Sequence, residues 1–149
     1  MSAGTRRSAS AQAILVAVDG SAACRRALRY AAARAAAGAR LHLLHVQPPL
    51  MAGEVGVLVT REMAVTHRRR ATERMMRRVC ALLLRRGIPH HVHMASGPVA
   101  QTITRSARRL KCGEIVMGTR GMGAVGNLLL GSVAAEVVKC AHLPVTLVK

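Results

Sequence analysis

The 149-residue chain contains no phenylalanine or tryptophan and a single tyrosine, Tyr30. That scarcity removes the aromatic platform on which single-stranded nucleic acids stack. Acidic residues are also few: six Asp and Glu stand against 23 Lys and Arg, a formal net charge of +17, and Asp19 is the only aspartate. A dedicated carboxylate base to activate water is therefore not evident. No Gly-Lys-Ser/Thr occurs, which excludes a P-loop. No C-x-x-C or zinc-finger spacing occurs either. Cys24, Cys80, Cys112 and Cys140 are far apart, in or beside apolar stretches, and read as free buried thiols. No apolar run approaches a membrane span. Residues 1–12 are small and polar, with Arg6 and Arg7, and lack the apolar stretch of a secretory signal. They read as a disordered lead-in to a cytoplasmic protein, with residues 13–149 as one domain.

What is present is a regular alternation. Residues 13–18 are a continuous β-branched and aliphatic run, the mark of a strand covered on both faces. Asp19-Gly20-Ser21 ends it, with Ser21 as the N-cap of a helix whose apolar stripe is Cys24, Ala27, Leu28, Ala31 and Ala35. Gly38 closes that helix. A second strand at 41–46 stops at Pro48-Pro49, and residues 47–59 form a loop with Gly53 and Gly56. A long basic helix follows at 60–86, with inward positions near Ala64, His67, Ala71, Met75, Val79 and Leu82, and Gly87 ends it. A strand at 88–94 precedes a helix opened by Gly97-Pro98, with Val99, Ile103, Ala107 and Leu110 inward. Strand 114–117, a glycine loop, helix 132–140 and strand 144–148 complete the chain. Five strands alternating with four helices predict an α/β fold: one open parallel sheet with helices on both faces. Ligands of such sheets sit beyond the carboxyl ends of the strands, where Asp19, Val46 and Gly118 lie.

The glycine loop is the strongest functional feature. A strand stops at Gly118, and Gly131-Ser132 opens a helix. Glycines admit close backbone approach, and a helix N-terminus offers unpaired N–H donors with partial positive charge, a combination suited to phosphate. Gly121-Met-Gly123-Ala-Val-Gly126 is literally G-x-G-x-x-G. The dinucleotide fingerprint, however, needs a helix starting within the glycines and a later strand carrying an acid, and too little chain follows.

The wider spacing Gly118-x2-Gly121-x9-Gly131-Ser132 resembles the nucleotide-binding pattern of the universal stress protein family. Ile14-Leu-Val-Ala-Val-Asp-Gly-Ser21, Leu43-Leu-His-Val46, Ile115-Val-Met-Gly-Thr-Arg-Gly121, Gly131-Ser-Val133 and Pro144-Val-Thr-Leu-Val148 extend the likeness over residues 13–149. The resemblance implies an adenine nucleotide alpha hydrolase-like sheet of strand order 3-2-1-4-5. It also implies an ATP-binding stress-response protein, non-catalytic or very weakly hydrolytic, acting as a nucleotide-dependent homodimer that pairs through strand 144–148. The implied binding residues begin with Ala17, Val18 and Asp19, the aspartate near ribose and phosphates and in indirect contact with Mg2+. Val46 would meet adenine through its backbone. Met117 and Gly118 would lie under the nucleotide, and Arg120, Gly121, Gly131, Ser132 and Val133 would surround the phosphates. Gly113-Glu114 departs from the Asp-Leu-like pair frequent in the family, and the arginine excess is atypical.

Simpler roles exist for several of these residues: a turn aspartate at 19, a plain helix start at 131–132, core packing at Met117 and a solvated side chain at Arg120. The charge supports a second reading, a nucleotide-independent basic module for nucleic acid or an acidic protein, motivated by the arginine-dense helix; it also fits merely solvated helix faces. A third reading, an ATPase or kinase-like enzyme, would need phosphate release that depends on Asp19. His90-His91-Val-His93 places two imidazoles on one strand face, too few for a metal site, so no metal ligands are assigned. His45 at a strand end reads as packing.

Overall fold

The computed structural model describes residues 12–50, 60–121 and 130–149. Most of the expected lead-in, residues 51–59 with Gly53 and Gly56, and residues 122–129 with Gly123 and Gly126 lie outside the described residues. The elements run β1 (Ala13–Ala17), α1 (Ala22–Ala36), β2 (Arg40–Gln47), α2 (Arg61–Leu84), β3 (His90–Ser96), α3 (Val99–Arg109), β4 (Glu114–Gly118), α4 (Ser132–Cys140) and β5 (Val145–Val148). All strand pairs are parallel, and the order is β3-β2-β1-β4-β5. The chain reverses direction across the sheet after β3, so β1 and β4 flank the switch point where such sheets bind ligands.

Strand periodicity divides the core in two. Ile14, Val16, Val18, Leu41, Leu43 and Val116 point to one face and pack under α1 and α2. Leu15, Leu44, Val46, Ile115 and Met117 point to the other, under α3 and α4. Ile14, Leu15 and Val16 have no exposed surface, as a central strand covered on both sides requires. Each such burial stabilises by about 1.5–3 kcal/mol.

Local signals explain most boundaries. Ser21 caps α1 by accepting the Cys24 N–H at 3.0 Å. Thr60 caps α2 through the Met63 N–H at 3.2 Å. The Gly38 N–H bonds the Ala35 carbonyl and the Gly87 N–H the Leu84 carbonyl, both at 2.9 Å, where the helices stop.

Three expectations need correction. The third strand does not start at Ile88: Pro89 brings no N–H to a ladder, and pairing begins at His90 and runs on to Ser96 opposite Gln47. The buried row of α2 is also displaced by a residue at three positions, from Ala71 to Thr72, Met75 to Met76 and Leu82 to Leu83, while Val79 is buried as expected. Thr72, Met76, Val79 and Leu83 are buried, with Met75 partly so, whereas His67, Ala71 and Leu82 are exposed. Residues 61–71 of this helix bury nothing fully, so its apolar periodicity misled where no core stands beneath it among the described residues. All four cysteines are free; only Cys24 is buried and the other three are half-buried.

Candidate functional site

At the carboxyl end of the sheet the switch point opens into a cleft of about 540 Å³. Its walls come from the ends of β1, β2 and β4, the start of α3 and the start of α4. Ala17, Val18, Asp19, Val46, Met117, Gly118, Arg120, Gly121, Gly131, Ser132 and Val133 all line it. Residues spread over more than a hundred positions of sequence are thus brought to one hollow. The sequence reading missed Leu44, Pro48, Val99, Ile103, Thr119 and Ala134, which supply much of the apolar wall. Val99 and Ile103 were legible as an inward stripe of α3; only the crossover places the start of that stripe over the cleft rather than the core alone.

The polar groups are held by a small network. The Ser21 N–H donates to Asp19 Oδ1 at 2.9 Å, which fixes the carboxylate in a turn. Ser21 Oγ donates to the Arg120 carbonyl at 3.2 Å while capping α1, so the exits of β1 and β4 are tied together. Past β4, the Gly131 N–H returns to the Thr119 carbonyl at 2.7 Å and closes the glycine loop at its base. Gly131 is the N-cap of α4, and no side chain caps that helix. Its first turn, Ser132 and Val133 exposed, borders the cleft with partial positive charge.

Two glycines are demanded by close approach. A Cβ on Gly121 would lie 2.8 Å from Asp19 Oδ2, so any side chain there displaces the carboxylate. A Cβ on Gly118 would lie 2.6 Å from Ala23 Cβ and 2.9 Å from the Ala23 backbone carbon. Gly118 therefore admits the start of α1 on the opposite face of the sheet, a packing role in addition to its place on the cleft wall.

His45 borders the cleft, yet both ring nitrogens are engaged elsewhere. Nδ1 donates to the Val18 carbonyl at 2.8 Å, which leaves Nε2 to accept from the Thr72 hydroxyl at 3.4 Å. That fixes one tautomer and a role in joining β1, β2 and α2.

The opposite end of the sheet holds other polar clusters. Glu114 is 5% exposed at the start of β4, where it accepts from Thr146 Oγ1 at 2.6 Å and pairs with Arg34 at 3.1 Å. The departure at Gly113-Glu114 thus lies at the strand entry, away from the cleft. His42 on β2, absent from the sequence reading, meets His93 with Nδ1 and Nε2 3.0 Å apart, and stacks on His91 with ring centroids 5.2 Å apart. Burial and the surrounding imidazoles and arginines push the pKa of His42 and His93 below the usual histidine value. Among the described residues no group of three or more His, Cys, Asp or Glu is arranged to hold a metal ion.

A doubly wound parallel sheet of order 3-2-1-4-5, with a glycine-bordered cleft and an uncapped helix start at its switch point, defines a Rossmann-like α/β protein with a candidate ligand site. The universal stress protein family model matches residues 11–149, and the chain belongs to that family. It is 39% identical over 140 residues to the Thermus aquaticus protein called universal stress protein in QAH/OAS sulfhydrylase 3'region, covering 91% of this chain and 97% of the relative. In structure it is similar to UspA of Lactobacillus plantarum (TM-score 0.75, 24% identity, 93% of this chain and 97% of the other). It is also similar to a universal stress protein of Archaeoglobus fulgidus solved in complex with dAMP (TM-score 0.68, 22% identity, 93% and 98%). Among the described residues no helix is long and apolar enough to cross a membrane.

Proposed function

We propose that this protein binds ATP, with Mg2+, in the switch-point cleft and acts as a nucleotide-dependent regulatory homodimer in the cytoplasm. The observation that carries the reading is the convergence of Asp19, Gly121 and the uncapped start of α4 on one apolar-walled hollow. The likeness to a protein solved with an adenine nucleotide supports the same ligand class. A volume of about 540 Å³ falls in the range of small-molecule sites, and the residues present fit the chemistry. Adenine would lie against Val46, Val99, Ile103 and Met117. Asp19 would accept from ribose hydroxyls and reach Mg2+ through water. Arg120, Gly121, Gly131 and the α4 N–H groups of Ser132 and Val133 would meet the phosphates.

Hydrolysis is absent or slow on this reading. Asp19 is the one carboxylate among the described residues lining the cleft, and one of its oxygens already accepts the Ser21 N–H. The ring nitrogens of His45 are both engaged. The outer edge of β5 has no partner strand among the described residues, and its half-buried Val145, Thr146, Leu147 and Val148 form the natural pairing surface for a second copy.

Isothermal titration at physiological salt with ATP, ADP and AMP, alongside native mass spectrometry with and without ATP, tests the proposal. Saturable heat and a nucleotide-dependent dimer peak are expected. Absence of saturable heat with all three ligands removes it.

A further inference from the structure

A second ligand surface lies on α2, away from the cleft. Nine arginines and two glutamates fall between residues 61 and 86. The helix faces the core with Thr72, Met76, Val79 and Leu83. At about 100° per residue, Arg70, Arg74, Arg77, Arg78 and Arg85 fall on the opposite side, and all five are exposed. They form one row about 22 Å long. None has a carboxylate partner among the described residues. Glu73, the nearest acid, is occupied by Arg69 at 3.5 Å and flanks the row rather than interrupting it.

The chemistry of this face narrows the partner. A protein partner needs an apolar patch to desolvate at the centre of the interface. Along the row this face offers arginine, alanine and, at one end, Leu84, with exposed Met63 two turns beyond the other end, too scattered to form one patch. A single-stranded nucleic acid needs aromatic stacking, and the chain has one tyrosine and no other aromatic side chain of that kind. Residues 61–86 contain no Asn or Gln to read adenine, and the arginines, which can also pair with guanine, have few varied polar neighbours from which to build a sequence code. What remains is a rigid line of guanidinium groups, each suited to bidentate contact with a phosphate. We infer that the arginine row of α2 binds the phosphate backbone of duplex nucleic acid without sequence preference.

The test measures binding of a 20-base-pair DNA duplex between 50 and 200 mM salt, using the whole protein. If the five arginines each meet a phosphate, the logarithm of affinity falls against the logarithm of salt with a slope of about −4.5. Changing Arg70, Arg74 and Arg77 to Gln should make the slope shallower by about 2.7. Changing Arg105, Arg108 and Lys139 to Gln removes the same charge from the other side of the sheet and should leave the slope as it was. Equal effects of the two triple variants would reduce the binding to net charge and overturn the assignment. So would a polyglutamate of matched charge that binds as tightly with the same slope, or no duplex binding by the unaltered protein at 150 mM salt. None of these results bears on nucleotide binding in the cleft.

Discussion

The two ends of the sheet use polar groups in opposite ways. At the amino end, Glu114 is buried and satisfied by Thr146 and Arg34, and His42 is satisfied by His93. At the carboxyl end, α4 begins without a side-chain cap and the Asp19 carboxylate faces a glycine instead of a cationic partner. Burial of polar groups is tolerated at the first end because each finds its partner within the chain. The second end leaves donors and an acceptor directed at a hollow, the condition in which an external ligand supplies what the chain withholds. Perturbing the amino end should therefore change stability, and perturbing the carboxyl end should change binding.

The largest expected effect breaks the carboxyl end. Gly121→Val pushes against Asp19 Oδ2 and fills the hollow, and Gly131→Val crowds the Thr119 carbonyl, 3.3 Å from the position of the new Cβ. Each should weaken ATP binding about 100-fold or more, the loss of two or more charge-assisted contacts. Circular dichroism should report a folded protein in both. Titration showing unchanged affinity in both variants would separate the glycine loop from the nucleotide and remove the contrast.

The next effect probes the amino end. Glu114→Ala removes the acceptor of the Thr146 hydroxyl inside the sheet and should cost about 1–3 kcal/mol in urea unfolding. ATP affinity should stay within about twofold of the unaltered protein, because the change lies at the entry of β4 rather than at its exit. A large loss of affinity with little loss of stability would show that the two ends are coupled through β4.

The same contrast explains how much was legible in the sequence. Continuous apolar runs such as 13–18 and 115–117 announce themselves, because a strand buried on both faces is predominantly apolar. The helix start at Gly131-Ser132 and the Asp19-Gly20-Ser21 turn are local chemistry, and family resemblance adds the spacing between them. The boundary of β3 was not legible, because Ile88 is buried beside α2 while Pro89 keeps it out of the ladder. The inward row of α2 was hidden by its composition: the run 79–84 is apolar all round, and the first turns bury no residue fully. Val99 and Ile103 needed the crossover from β3 to be known before their place in the cleft could be. His42 was invisible for another reason, since only the register that sets it opposite His91 brings three imidazoles together.

That imidazole cluster carries the smallest predicted effect. Between two neutral rings, the contact of His42 Nδ1 with His93 Nε2 needs one donor and one acceptor, and protonating the acceptor would set two N–H groups against each other. Burial first, then His93, His91 and Arg40, lowers the pKa of His42; burial, His91 and Arg109 lower that of His93. The unfolded chain takes up these protons near the ordinary value of about 6.5, whereas the folded chain resists until lower pH. Stability from this pair is therefore complete above the unfolded value and declines as pH falls through 6.5 toward the folded values. The urea midpoint should drop between pH 7.5 and 5.5, by less than Glu114→Ala lowers it at neutral pH. In His93→Gln, which retains an amide to face His42, that drop should shrink. Identical pH dependence in the two proteins would mean that the histidines at the amino end titrate without consequence, and that its self-sufficiency rests on Glu114 alone.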